Sequence, residues 1–169
     1  MKKLHEIREA VRHKQPLIHC ITNPISINQC ANGILAIGAR PMMAEHPKEV
    51  REITETAGAL MLNLGNITDA RMESMKISML TAKEKNLPVM LDAVGIACSK
   101  LRRDYIAELL EINIPTVIKG NYSEITAKID AFVPEKLDFS DMFAEGCVDA
   151  PAILRELQKY FPEVCLGKS

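Results

Sequence analysis

Two apolar runs and the segment between them decide the fold: Gly58-Ala59-Leu60-Met61-Leu62-Asn63-Leu64, then Thr68 or Asp69 to about Lys85, then Pro88-Val89-Met90-Leu91-Asp92. Each run is short, apolar and bounded by turn residues, as expected of a strand buried on both faces. The middle segment carries Met72, Met75, Met79 and Leu80 as one apolar stripe at helical spacing, behind a residue suited to an N-cap. A strand, a helix and a second strand in this order form a crossover unit, which joins parallel neighbours.

The same rhythm extends in both directions. Lys2 to His13 reads as an amphipathic helix through Leu4, Ile7 and Val11, broken by Pro16. Leu17 to Ile21 is a short buried strand, and Ile25 to Ile37 a helix closed by Gly38. Pro41-Met42-Met43-Ala44 is an extended piece, and Pro47 opens a helix to about Glu55. Beyond Asp92, Arg102 to Glu111 is helical, Pro115 to Gly120 is a strand, and Tyr122 to Lys128 is a helix. Phe132 to Cys147 is irregular, Pro151 to Tyr160 helical, and Glu163 to Leu166 the start of a strand. The fold class is therefore α/β, a parallel sheet covered by helices on both faces.

Composition narrows the function. Lys and Arg total 21 against 22 Asp and Glu, so the basic excess of a nucleic-acid binder is absent. A hydrophobic share of 47% is enough for a packed core. No run approaches the roughly 18 apolar residues of a membrane span, and charged Met1 to Gln15 lacks the apolar stretch of a secretory signal. Cysteines at 20, 30, 98, 147 and 165 are odd in number, irregular in spacing and without a C-x-x-C, which points to free thiols in a reducing, cytoplasmic compartment. Nine methionines serve either as adaptable core filler or as the border of an apolar ligand.

In a parallel sheet, ligands sit beyond the carboxyl ends of the strands. Three groups of polar residues fall there. His19-Cys20-Ile21-Thr22-Asn23 leads into a helix whose Asn28 and Asn32 share a face; these amides either cap and satisfy backbone or line a pocket for a small heteroatom group. Asp92 with Val94-Gly95 either caps a turn or holds a hydrated metal ion. Lys119-Gly120-Asn121-Tyr122-Ser123-Glu124 is either an Asn N-cap with a returning Glu, or a cation for phosphate beside a carboxylate for Mg²⁺. Spacing alone leaves both readings open in each case. Gly167-Lys168-Ser169 mimics the end of a P-loop, but its leading glycine position is Pro162. His19, Cys20 and His46 match no standard zinc spacing.

Together these segments resemble the hydroxyethylthiazole kinases, a ribokinase-like family of thiamine biosynthesis and salvage. The resemblance is carried by His19 to Asn23, Asn28, Ala31 to Ala39, Pro41 to Ala44, Leu62 to Gly65, Leu91 to Gly95 and Ile118 to Ile125, in the family's order, with Gly146 to Asp149 also similar. It implies a kinase that transfers phosphate from ATP to 4-methyl-5-(2-hydroxyethyl)thiazole. By the same resemblance Met43 and Asn23 contact the thiazole, with Asn28 on the same wall. Lys119 and Asn121 meet ATP, and Asp92 and Glu124 organise Mg²⁺. The implied partners are the small-molecule thiazole alcohol, ATP and two further copies in a homotrimer, with no nucleic acid and no membrane.

Such kinases continue into a Gly-Thr-Gly-Cys helix start that supplies an anion hole and a catalytic cysteine. Neither Cys147 nor Cys165 follows a turn of that kind, so no catalytic residue is assigned. Residues 1–169 are expected to form a single ribokinase-like domain, incomplete at its C-terminal side. Arg40 stands where the family usually has a small residue. A non-catalytic thiazole-binding module or an inactive fragment is the alternative. Dehydratases of hydrated nicotinamide cofactors share the fold, but the His19 to Ala44 block does not look like theirs.

Overall fold

The crossover rhythm closes into one parallel sheet. The computed structural model describes residues 2–121 and Glu124. Its strands are β1 (Leu17–Ile21), β2 (Arg40–Met42), β3 (Ala59–Asn63), β4 (Val89–Asp92) and β5 (Val117–Lys119). They lie in the order β2-β1-β3-β4-β5, all parallel. Helix α1 (Lys2–Lys14) precedes β1, and α2 (Ile27–Ala36), α3 (Val50–Thr56), α4 (Asp69–Glu84) and α5 (Lys100–Ile112) make the crossovers in turn. The chain steps from β1 to β2 on one side and then returns to place β3 on the other. That reversal opens a crevice between the ends of β1 and β3.

Strand alternation sends successive side chains to opposite faces, and both faces are apolar. On one face Ile21, Leu60, Leu62 and Leu91 pack with Met75 and Met79 of α4 and with Tyr105, Ile106 and Leu109 of α5. On the other, Cys20 packs with Ile34 of α2 and Ala39, joined by partly buried Val11, Ile18, Met43 and Met61. The second layer is thinner. Only the Val11 end of the α1 stripe docks, leaving Leu4 and Ile7 exposed at 72% and 53%.

Local chemistry explains the shifted boundaries. Helix α2 starts at Ile27 rather than Ile25 because the Asn23 side chain accepts the Ser26 N–H at 3.1 Å and holds a turn there. Helix α3 starts at Val50, not Pro47, because His46 Nδ1 accepts the Lys48 N–H at 3.2 Å and its carbonyl accepts Glu49 N–H, so residues 47–49 form a turn. Gly38 ends α2 with φ +92°, and a Cβ there would lie 2.6 Å from Arg12 Cγ, so both backbone sign and packing require glycine. Thr68 caps α4 by accepting Arg71 N–H at 3.3 Å.

The methionine stripe of α4 holds at Met75 and Met79 and fails at Leu80, which is exposed. The buried face instead includes Ser74, Ser78 and Thr81. Thr81 returns its hydroxyl proton to the carbonyl of Ile77 at 2.8 Å, and Ser74 shares its proton between the carbonyls of Ala70 and Glu45, each at 2.8 Å, which makes them tolerable in the core. The expected helix over residues 122–128 and everything expected after it lie outside the described residues, Glu124 excepted.

Candidate functional site

Parallel strands bring all their carboxyl ends to one edge of the sheet. Register sets Asn63 beside Asp92, and Asp92 beside Lys119. Their side chains meet: Asn63 Nδ2 donates to Asp92 Oδ2 at 2.9 Å, and Lys119 Nζ donates to the same oxygen at 3.1 Å. Asn23, two residues past β1, donates from Nδ2 to Asn63 Oδ1 at 3.1 Å. A continuous polar chain thus runs from Asn23 through Asn63 and Asp92 to Lys119, across the ends of β1, β3, β4 and β5. Among the described residues Asp92 Oδ1 is buried with no hydrogen-bond partner. The Lys119 side chain is 56% exposed, so its ammonium keeps donors for an incoming anion.

The turn after β4 is fixed from both sides. Gly95 has φ +78°, and its N–H donates to Glu124 Oε1 at 2.8 Å. Arg102 Nη1 donates to the Val94 carbonyl at 3.0 Å and also to that of Leu64, which ties the turns after β3 and β4 together. Glu124 Oε2 accepts Asn121 N–H at 2.8 Å, and Asn121 Oδ1 accepts Glu124 N–H at 3.0 Å. That reciprocal pair is a capping box. The capping reading of Asn121 and Glu124 is therefore realised, and the same cap puts a carboxylate against the turn that follows Asp92.

No three His, Cys, Asp or Glu side chains group as a metal site among the described residues. Mg²⁺ needs no such cage, since one or two carboxylates with water and phosphate oxygens hold it. The unpartnered Asp92 Oδ1, with Glu124 at the adjoining turn, fits that donor set.

Met43 follows β2 and is half-buried on the α2 face of the sheet. Its chain segment is clamped at the next two residues. His19 Nε2 donates to the Ala44 carbonyl at 2.9 Å, and Ser74 Oγ donates to that of Glu45 at 2.8 Å. Arg71 grips the Glu45 carboxylate with two bonds, at 2.8 and 3.2 Å, and donates to Asn66 O at 2.8 Å. His19 is fully buried, with Nδ1 2.8 Å from Thr54 Oγ1. Burial pushes its pKa below the ordinary value, against the pull of the Ala44 carbonyl and the Glu49 charge, so the ring is neutral with its proton on Nε2.

Of the residues singled out from sequence, Asn23, Asp92 and Lys119 join one chain, and Glu124 and Asn121 adjoin it. Asn28 does not join that chain through any hydrogen bond given by the structure. Its Oδ1 accepts from Asn32 Nδ2 at 2.9 Å on the exposed face of α2. Arg40 is occupied by the Gln15 carbonyl at 2.9 Å. Asn63 and His19 carry structural parts that residue type alone did not mark. Asn63 was legible only as a strand-end position, and His19 only as an apolar-strand histidine.

A parallel sheet in this order, with its polar groups gathered at the carboxyl edge, is a doubly wound α/β architecture with its ligand crevice at the switch point. A solved hydroxyethylthiazole kinase from Pyrococcus horikoshii OT3 superposes with TM-score 0.73 at 36% identity, over 77% of this chain and 51% of that one. The chain belongs to the hydroxyethylthiazole kinase family, whose sequence model matches residues 8–136. Hydroxyethylthiazole kinase 1 of Clostridium botulinum (strain Loch Maree / Type A3) is 59% identical over 122 residues, 72% of this chain and 46% of the relative. Hydroxyethylthiazole kinase of Finegoldia magna is 49% identical over 125 residues, 74% of this chain and 47% of the relative. The chain spans about half the length of these relatives.

Proposed function

We propose that this chain serves ATP-dependent phosphorylation of 4-methyl-5-(2-hydroxyethyl)thiazole, as part of one ribokinase-like domain in cytoplasmic thiamine biosynthesis or salvage. The observation that carries the reading is the unbroken hydrogen-bonded chain from Asn23 to Lys119. It links the thiazole end of the edge to the phosphate end. On this reading Met43 offers the soft apolar contact and Asn23 the polar contact for the thiazole, with Asn28 near the entrance of the pocket. Lys119 neutralises phosphate oxygens, with Asn121 beside it. Asp92 and Glu124 would hold Mg²⁺, which would supply charge neutralisation for the ATP phosphates. Phosphoryl transfer rests on positioning and charge stabilisation, which suits a rigid sheet edge.

A homotrimer with the thiazole site between neighbours is part of the proposal. Exposed Ile25, Leu35 and Ile37, at 82%, 55% and 50%, support it, because they flank the α2 layer that packs on Met43. Among the described residues no helix is long and apolar enough to cross a membrane.

The test is calorimetric titration of the size-checked protein with hydroxyethylthiazole and then Mg-ATP, followed by mass detection of the phosphorylated thiazole. Product formation is the expected result. Thiazole binding without product marks a thiazole-binding module. Binding of neither ligand refutes the reading for this chain.

A further inference from the structure

Asn63 has two properties that set it apart from its neighbours at the sheet edge. It is the only residue of the polar chain bonded to both the Asn23 end and the Asp92 end, and it is 7% exposed, so water does not substitute for it. Its orientation is also forced. The Gly65 N–H donates to Asn63 Oδ1 at 2.8 Å, so that atom is the oxygen and Nδ2 faces Asp92. Asn23 is forced likewise, because its Oδ1 accepts the Ser26 N–H and only Nδ2 is left for Asn63. Two backbone N–H groups therefore set one direction for the chain: Asn23 donates to Asn63, Asn63 donates to Asp92, and Lys119 donates to Asp92. Turning either amide over would set donor against donor or acceptor against acceptor.

Gly65 is part of the same device. A Cβ there would lie 2.8 Å from Asn63 Oδ1 and 2.9 Å from Asn23 Nδ2, too close to both partners of the bond for either to keep its place. Glycine at 65 is what lets the two amides meet.

We propose that Asn63 is a positioning residue that couples the two halves of the site. A change at Asp92 or Lys119 is felt at Asn23 through its carboxamide, and the reverse. This rests on the kinase reading for the identity of the ligands: the thiazole alcohol at the Asn23 end and Mg-ATP at the Asp92 end. Coupling of this kind is reciprocal, so each ligand changes the affinity of the other by the same factor.

The test reads the link first without ligands. The side-chain amide resonances of Asn23 are assigned by their loss in Asn23→Ser and followed by ¹H–¹⁵N NMR. Lys119→Met is the perturbation at the far end. The Asn23 resonances are expected to move on Lys119→Met in the otherwise native protein, and to stay in place when the same change is made in Gly65→Ala or Asn63→Leu. Gly65→Ala deletes no polar group, so it serves if Asn63→Leu does not fold. An equal movement in all backgrounds, or none in the native one, overturns the proposal.

Titration of hydroxyethylthiazole with and without Mg-ATP then reads the consequence. An affinity change of about fivefold or more in the native protein should fall to no change in Gly65→Ala. A change that survives in Gly65→Ala overturns the proposal. If the NMR link is present and neither ligand binds, the kinase reading fails while the Asn63 link stands.

Discussion

Acidification from pH 7 to pH 5 is expected to destabilise this protein through His19. The ring is fully buried, and its Nε2 proton is committed to the Ala44 carbonyl. Burial holds its folded pKa below the ordinary 6.5, whereas the unfolded chain titrates near that value. Between the two values the unfolded state carries a proton that the folded state refuses. Stability therefore rises with pH across that window. It is fully present above 6.5 and is lost as pH falls toward the folded pKa, with a slope of at most about 1.4 kcal/mol per pH unit.

His19→Leu removes the titration and leaves the Ala44 carbonyl without its donor, which costs about 1–3 kcal/mol. The Thr54 hydroxyl, freed from His19 Nδ1, donates to the Val50 carbonyl 2.7 Å away, so a second orphan does not arise. The assay is urea unfolding of native protein and His19→Leu at intervals from pH 7.5 to pH 5. The variant should start less stable and show a flatter dependence on pH. His5, His13 and His46 are exposed and present in both proteins, so they cancel in the comparison. A variant with the native pH slope would refute the reasoning.

Three further outcomes follow from the same geometry. Arg71→Met should lower stability by about 2 kcal/mol, because it removes the paired bonds to Glu45 and the bond to Asn66 O; denaturant midpoints measure this, and thiazole titration should show weaker binding as the Met43 segment loosens. Gly95→Ala should cost about 1–2 kcal/mol, since φ is +78° and the added Cβ would lie 3.1 Å from Arg102 Nη1. Cys98 should react with iodoacetamide far faster than Cys20 at pH 8, as read by peptide mass mapping, because Cys98 is exposed while burial pushes the Cys20 thiol up to about 12.

The architecture was legible because it depends on local patterning. Short apolar runs, helical spacing and caps such as Thr68 and Gly38 each act within a few residues, and all pointed to one parallel sheet. The strand-end rule marks Asn23, Asp92 and Lys119 from the order of the chain alone. Local boundaries slipped where side chains bonded to nearby backbone, as Asn23 does to Ser26 and His46 to Lys48. In α4 the apolar stripe fails at Leu80 because small hydroxyl residues occupy the buried face, two of which, Ser74 and Thr81, bond to carbonyls of their own helix.

Residue types and order by themselves determined the α/β class, the strand ends worth inspecting and the family resemblance. Tertiary structure alone decided which of those polar groups touch. Asn63 and Asp92 are 29 residues apart, and Asn23 and Asn63 are 40 apart. Only strand register brings them within hydrogen-bond reach. The same holds for His19 and Ala44, 25 residues apart, where a buried ring secures the segment behind Met43. Period and propensity are properties of neighbours along the chain. Donor-acceptor direction at a sheet edge is a property of neighbours in space, and it exists only after the strands have paired.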